Sequence, residues 1–254
     1  MDERQTPDTG RVALTIAFVL ARDAAFGGGG GTAGVVDSEV EHDSLGLPLL
    51  RGRTLKGLLN EECANILYSL GEAWRDRPQA LAPWLAAAAR LFGGPGSDPH
   101  QMAAVVYGDA RLPQVIREAV DYAQATSNRT PPLDRETLLA SLTAVRRQTA
   151  LDRSGAPRQG SLRALRVALR QTVFEAPLLY RRTLSPQDPD GSAALADDLA
   201  LLAASVKGWR RAGMGRNRGL GKLCATLCDA QGRDITDRHF DHFRAALAAQ
   251  PEGA

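Results

Sequence analysis

Residues 213–229 read GMGRNRGLGKLCATLCD, a loop in which glycines alternate with cations and which runs directly into an apolar stretch. The glycines let the backbone approach a polyanion closely, and Arg216, Arg218 and Lys222 would neutralise its charge. A nucleotide P-loop would need a glycine at 216 and a serine or threonine at 223, and the chain has neither. The stretch therefore predicts either a contact with a nucleic-acid backbone or a solvated turn before a strand.

Predicted strands and helices lie on both sides of this loop. Apolar and β-branched runs predict four strands, at 11–21, 103–112, 172–184 and 222–229. Helical spacing of apolar residues predicts four helices, at 55–70 after an N-cap at Thr54, at 79–92, after Ser192, and from Thr236. With the helices at 55–70 and 79–92 counted as one step and the C-terminal helix left aside, the order is strand, helix, strand, strand, helix, strand. This order predicts an α+β fold with a ferredoxin-like sheet.

About sixty residues separate the second and third of these strands, which is too long for a simple connection. We expect residues 113–171 to be an element that is inserted into the sheet and projects from it. The chain, 1–254, is then one domain in which 11–112 and 172–254 build the sheet and its helices.

Positive charge is concentrated in the C-terminal half, although the net charge of the chain is only +2. Nine arginines and two acidic residues lie between 146 and 182, and six cations and no acidic residue lie between 207 and 222. A basic surface is therefore predicted. Arg163, Arg166 and Arg170 would add a stripe of charge to it if 161–171 is helical.

A second cluster of cations surrounds the predicted start of the first helix. The segment RGRTLKG at 51–57 puts Arg51, Arg53 and Lys56 where free backbone N–H groups and the helix dipole favour phosphate.

The termini and cysteines bear on the compartment. The N-terminus has no cationic segment followed by an apolar core, and no apolar run reaches the length of a membrane span, so a cytoplasmic protein is expected. Cys63, Cys224 and Cys228 fit a reducing compartment. With His239 and His242, the last two cysteines resemble a zinc pattern, but residues four apart on a strand are about 13 Å from each other, which disfavours one tetrahedral ion.

The order of several short motifs along the chain resembles a known family. The glycine run 27–31 is followed by GVVDSEVEHD (34–43), GRTLKG (52–57), RLFG (90–93), YGDARL (107–112), ALDRSGAPRQG (150–160) and GRNRGLGK (215–222). This series resembles the RAMP superfamily, specifically the backbone subunit of type III CRISPR effector complexes of the Csm and Cmr kind. The resemblance implies a ferredoxin-like (RRM-type) palm with inserted finger and thumb elements, the thumb lying in 113–171.

The resemblance also implies function. The partners would be CRISPR guide RNA, target RNA, other effector subunits, and copies of the chain or homologous backbone subunits, without a membrane. Carried onto this sequence, the RNA-binding residues are Arg51, Arg53, Lys56, Arg153, Arg158, Arg163, Arg216, Asn217, Arg218 and Lys222.

Asp37 would be both the catalytic residue and the metal ligand for target-RNA cleavage at regular intervals, with Mg²⁺ or another divalent cation. His42 as a general base and Asp43 as a second metal carboxylate are further possibilities, against a packing histidine and a turn-forming aspartate. A non-catalytic RNA-binding subunit and a guide-processing ribonuclease are the alternative functions.

Overall fold

The computed structural model describes residues 10–31, 36–94, 102–126, 133–181 and 192–249. In these ranges the strands are β1 (Arg11–Leu20), β2 (Val105–Tyr107), β3 (Thr143–Gln148), β4 (Arg163–Ala168), β5 (Val173–Arg181) and β6 (Leu223–Asp229). The helices are α1 (Gly52–Ala73), α2 (Ala82–Phe92), α3 (Gln114–Thr126), α4 (Arg135–Leu142), α5 (Ser192–Gly208) and α6 (Thr236–Ala248).

A four-stranded sheet in the order β2-β5-β1-β6 forms the centre of the fold. All neighbouring strands are antiparallel, and β1 pairs with β5 on one side and with β6 on the other. Counted within this sheet, the first strand (β1) lies between the third (β5) and the fourth (β6), which is the ferredoxin-like arrangement. The predicted α+β class and ferredoxin-like sheet are confirmed.

The core lies between this sheet and α1, α2 and α5. Alternate residues of β1 point into it, and Phe18 stacks on Phe174 of β5 with ring centroids 5.1 Å apart. Trp209, just after α5, packs on Phe18 in a T-shaped arrangement with ring centroids 5.0 Å apart. The aromatic rings of the two central strands therefore pack under the helices and leave the opposite sheet face without them.

One ion pair lies inside this core. Asp198 of α5 is fully buried and accepts hydrogen bonds from Arg90 of α2 at 2.7 Å and from the Tyr180 hydroxyl at 2.6 Å. Burial raises the pKa of Asp198, and the hydrogen bonds from Arg90 and Tyr180 oppose that rise. The arrangement ties α2, α5 and β5 together.

Helix α1 begins earlier than the sequence predicts. Its first residue is Gly52 and its N-cap position is Arg51, so the predicted cap at Thr54 is wrong. The carboxylate of Asp109 accepts the Gly52 N–H at 2.9 Å and supplies the cap from a distant segment. A Cβ at residue 52 would lie 2.2 Å from the Tyr107 carbonyl oxygen, so glycine is required at this crossing.

Strand β2 has three residues, and the predicted strand 103–112 is correspondingly too long. The chain leaves the sheet at Gly108, whose N–H still donates to Pro177. It then turns toward α1, where Ala110 pairs with Leu50 and Asp109 reaches the helix terminus. For the third strand, 173–181 confirms the greater part of the prediction, and 182–184 lie outside the described residues.

Between β2 and β5 the chain forms α3, α4 and a two-stranded hairpin of β3 and β4. The arginine stripe expected if 161–171 were helical does not form, because Arg163–Ala168 is a strand. Arg163 and Arg166 therefore point to opposite faces. Arg166 forms an ion pair of 2.6 Å with Glu39, and Arg170 lies in the turn after β4.

Candidate nucleic-acid interface

The glycine-rich loop is anchored to the segment that follows β1. Met214 N–H donates to the Ala25 carbonyl oxygen at 2.9 Å, and Gly221 N–H donates to the Asp23 carbonyl oxygen at 2.7 Å. Gly221 has φ +73°, and a Cβ there would lie 1.9 Å from the Ala212 carbonyl oxygen. Between these anchors, Arg216–Arg218 form a short 3-10 turn in which no residue is buried.

The β3–β4 hairpin is anchored to the same segment. Ala24 and Ala168 exchange both backbone hydrogen bonds, at 3.0 and 2.8 Å. The Asp23 carboxylate accepts from Arg146 of β3 at 2.6 Å and from the Arg170 N–H at 3.0 Å. Burial would raise the pKa of Asp23, but the Arg146 and Arg170 interactions outweigh it and hold that pKa below its usual value.

The loop and the hairpin face each other across an open groove of about 980 Å³, called here the main groove. Its cationic lining consists of Arg163 from the hairpin with Arg210, Arg211, Arg216 and Arg218, and its acidic lining consists of Glu61 and Glu62 of α1. Two basic segments that are distant in the sequence thus contribute to one surface.

Internal partners hold part of this charge in place. Arg216 pairs with Glu61 at 3.0 Å, and Arg218 donates to the Gln148 side-chain oxygen at 3.3 Å. Burial, with a contribution from neighbouring Glu61, raises the pKa of Glu62. The groove retains more cations than carboxylates, as binding to a polyanion requires.

The ten residues predicted to bind RNA fall into two groups. Those on the loop and the hairpin are Arg163, Arg216, Asn217 and Arg218 in the main groove, exposed Lys222 beside Arg211, and exposed Arg153 and Arg158 in the connection between β3 and β4. The other three lie at the start of α1, where Arg53 is exposed and Lys56 is partly buried. Arg51 is held by Glu41 and by Asp109, so it forms a structural ion pair.

A smaller groove of about 350 Å³ connects the two groups. Arg51 and Thr54 line it from α1, Gly27 and Gly29 from the glycine run, and Arg216 from the loop.

Asp37 lies beside the outer edge of the hairpin and is exposed. Its backbone N–H donates to the Ala164 carbonyl oxygen at 2.8 Å, and its Oδ2 accepts the Ala164 N–H at 2.6 Å. The nearby carboxylates of Glu39 and Glu41 are paired with arginines. Within the described ranges no group of three or more His, Cys, Asp or Glu side chains is placed to hold a metal ion.

The two neighbouring alternatives have other partners. His42 Nε2 lies 3.1 Å from Arg135 Nη2, and because an arginine only donates, Nε2 accepts and Nδ1 donates to the Asp43 carbonyl oxygen at 3.0 Å. Asp43 Oδ1 accepts the N–H groups of Leu45 and Leu47, each at 3.0 Å. His42 therefore bridges two segments, and Asp43 shapes the turn before residue 47.

Several residues that build this surface were not among the predicted site residues. Arg210 and Arg211 belong to the cationic block 207–222, whose composition could have identified them. Asp23 and Asp109 position arginines and backbone N–H groups, and each is a single carboxylate near the end of a strand. No local pattern distinguishes such a carboxylate from a solvated one.

Comparison with known proteins connects this geometry to a family. A sequence profile described as "RAMP superfamily" matches residues 23–224, which include the loop, the hairpin and α1. The chain belongs to the RAMP superfamily. No curated protein matches this RAMP chain in sequence. None of its helices in the described ranges is long and apolar enough to cross a bilayer.

Among solved structures, the RAMP chain is similar to a chain of the type III-B Cmr-beta complex bound to cognate target RNA. The TM-score is 0.52 with 13% identity, over 85% of this chain and 96% of that one. A chain from the apo state of Cmr-beta gives a TM-score of 0.48 with 13% identity, over 85% and 97%. At this identity the first likeness shows a shared fold.

Proposed function

We propose that this RAMP protein is a guide-RNA-binding backbone subunit of a cytoplasmic type III CRISPR ribonucleoprotein. Its partners would be guide RNA, target RNA, other effector subunits, and copies of itself or homologous subunits. The observation that carries the proposal is the meeting of the hairpin and the glycine-rich loop in one arginine-lined groove. Family membership and the fold shared with a chain of an RNA-bound type III-B complex support it.

The RNA would be held through its phosphates. RRM-type sheets stack bases on exposed aromatic rings, but Phe18, Phe174 and Tyr180 are buried on the helix side of this sheet. Arg163, Arg216 and the other groove arginines instead offer charge-assisted hydrogen bonds to phosphate oxygens. Binding would be tolerant of sequence, as a guide-carrying subunit requires.

A salt titration tests RNA binding. The variant Arg216→Ala with Arg218→Ala is compared with wild type, using a fluorescent single-stranded RNA and several KCl concentrations. The slope of log affinity against log salt is negative, and loss of two phosphate contacts should make it shallower by about 1.4. The control, Arg238→Ala with Arg244→Ala, removes the same charge from the exposed side of α6 and should keep the wild-type slope. An unchanged slope in the loop variant refutes the role of the loop.

We further propose that the subunit cleaves target RNA with a divalent cation at Asp37. One Asp37 oxygen is oriented by the Ala164 N–H, and the carboxylate is exposed next to the arginine-bearing hairpin. A single carboxylate suits Mg²⁺, which keeps most of its water and takes its other ligands from substrate phosphate. Bound there, the ion would stabilise negative charge on the scissile phosphate, and Asp37 would hold it.

Cleavage is tested in the assembled complex at equal guide occupancy, with Mg²⁺ or with chelator. Asp37→Ala should abolish periodic target fragments while guide binding persists. Glu136→Ala removes an exposed carboxylate from α4 and should leave the fragments unchanged. Fragments that persist with Asp37→Ala, or that never form with wild type, would instead favour the non-catalytic RNA-binding subunit.

A further inference from the structure

A second groove, of about 530 Å³, lies at the base of the hairpin and is called here the base groove. Three arginines and one carboxylate line it, so its charge is positive. With the uncharged wall residues the lining is Arg22, Asp23, Arg146, Leu169, Arg170, Gln171, Gly219 and Leu220.

The base groove is built from the same two elements as the main groove. Residues 213–218 of the glycine-rich loop line the main groove, and the next two residues, Gly219 and Leu220, line the base groove. On β3, Gln148 lines the main groove and Arg146 the base groove, and residues two apart on a strand share a face. A polyanion that crosses the loop at Arg218 therefore passes from one groove into the other.

The base groove is preorganised around Asp23. This carboxylate accepts from Arg146 Nε at 2.9 Å and from Arg146 Nη2 at 2.6 Å, which fixes one guanidinium as a wall. It also accepts the Arg170 N–H at 3.0 Å and so fixes the turn after β4. In that turn Gln171 has φ +70°, the one positive φ of a non-glycine residue in the described part of the chain.

Left-handed backbone at a non-glycine residue is costly and persists where the surrounding structure enforces it, often at binding sites. Here the Gln171 N–H donates to the Leu20 carbonyl oxygen at 2.7 Å, which holds the turn against the end of β1. The neighbouring side chains of Arg22 and Arg170 are exposed. Neither guanidinium forms a hydrogen bond or an ion pair with a described residue. The charge of Arg170 acts on Asp23 without such a contact, so the donors of both guanidinium groups are available to a ligand.

We propose that the base groove is a second phosphate-binding site for the same RNA strand, in which Arg22 and Arg170 donate to one or two consecutive phosphates. This inference rests on the proposed RNA-binding function. It extends the RNA-binding surface from the main groove past Arg218 of the glycine-rich loop into the base groove. An open, solvent-facing groove that continues another groove suits a phosphodiester chain better than an isolated small anion. Asp23 is a positioning residue, since it acts through Arg146 and the 170–171 turn.

The test is a salt titration of RNA binding by the full-length protein. The base-groove variant, Arg22→Ala with Arg170→Ala, is compared with wild type, with the loop variant Arg216→Ala with Arg218→Ala, and with the α6 control Arg238→Ala with Arg244→Ala. A 20-nucleotide single-stranded RNA serves as probe, and thermal melts confirm that each variant is folded.

The base-groove variant should make the negative slope of log affinity against log salt shallower by about 0.7 to 1.4, as expected for one or two lost single-strand phosphate contacts, while the α6 control keeps the wild-type slope. If only the loop variant lowers the slope, the base groove is refuted and the proposed function stands. If wild type shows no salt-dependent RNA binding, both fail. If the α6 control loses as much as the base-groove variant, the effect is general charge and the site is refuted.

Discussion

Replacing Gly221 by alanine should break the hydrogen bonds that anchor the glycine-rich loop and lower the free energy of unfolding. Gly219→Ala is a matched control within the same loop. Both residues have left-handed backbone, with φ +73° and +84°. A side chain in this conformation costs about 1 to 2 kcal/mol at either position. The two sites differ in their surroundings, because a Cβ at 219 meets nothing within 4 Å and a Cβ at 221 lies 1.9 Å from the Ala212 carbonyl oxygen.

Relief of that clash requires the backbones at 221 and 212 to separate. Two hydrogen bonds depend on their position, from the Ala212 N–H to Gly221 at 2.9 Å and from the Gly221 N–H to Asp23 at 2.7 Å. With about 1 kcal/mol for each, Gly221→Ala should lose about 3 to 4 kcal/mol of unfolding free energy. Gly219→Ala should lose only the backbone cost of about 1 to 2 kcal/mol.

Urea unfolding, followed by tryptophan fluorescence, measures the difference, since Trp209 is buried in the core. Equal midpoints for the two variants would refute the reasoning, because the shared backbone strain would then account for the whole effect. A larger loss at Gly219 would refute it as well.

Three further predictions concern the rest of the fold. Arg90→Met should lower the unfolding free energy by about 3 kcal/mol because it leaves the buried Asp198 carboxylate unpaired. The double variant with Asp198→Leu should recover much of that loss. Urea denaturation of the single and the double variant measures both free energies. Asp109→Ala should cost about 1 kcal/mol at neutral pH through the lost helix cap. Burial would raise the pKa of Asp109, but its hydrogen bonds and arginine neighbours lower that pKa overall. The contribution of Asp109 to the unfolding free energy is therefore present above about pH 4 and is lost as pH falls through the folded-state pKa. The plots of unfolding free energy against pH for wild type and Asp109→Ala should therefore converge in acid. Burial raises the pKa of Cys63 to about 11, so a thiol reagent at pH 8 should label exposed Cys224 first and Cys63 only on unfolding, as mass spectrometry would show.

Local patterns in the sequence were sufficient for the central sheet and most of its helices. The apolar and β-branched runs at 11–21 and 222–229 identified β1 and β6 because both strands contribute buried residues to the core under the helices. The start of α1 could not be read locally, since its cap comes from Asp109, 57 residues farther along the chain. Strand β4 could not be assigned from the sequence because arginines three and four residues apart fit a helix equally well, and only pairing with β3 selects the strand.

The candidate site shows the same division. Composition alone drew attention to the loop 213–222 and to the arginines of the hairpin, whose opposition across one groove is a tertiary fact. The carboxylates that engage this charge, Glu61 on Arg216 and Asp23 on Arg146, lie more than 100 residues away from their partners. Pairings of that range depend on how α1 and the end of β1 pack, which residue spacing does not encode.

The anchoring of both the glycine-rich loop and the hairpin on residues 23–25 has a consequence for protein engineering. An amino acid inserted between Leu20 and Asp23 would displace the backbone groups that bind both the loop and the hairpin. The two elements would then lose their positions together. The connection between β3 and β4, by contrast, carries exposed residues from 151 to 160 and lies at the opposite end of the hairpin from the Ala24–Ala168 pairing. A peptide tag or a fluorophore attached there would leave intact the backbone hydrogen bonds that join the hairpin to residues 23–25.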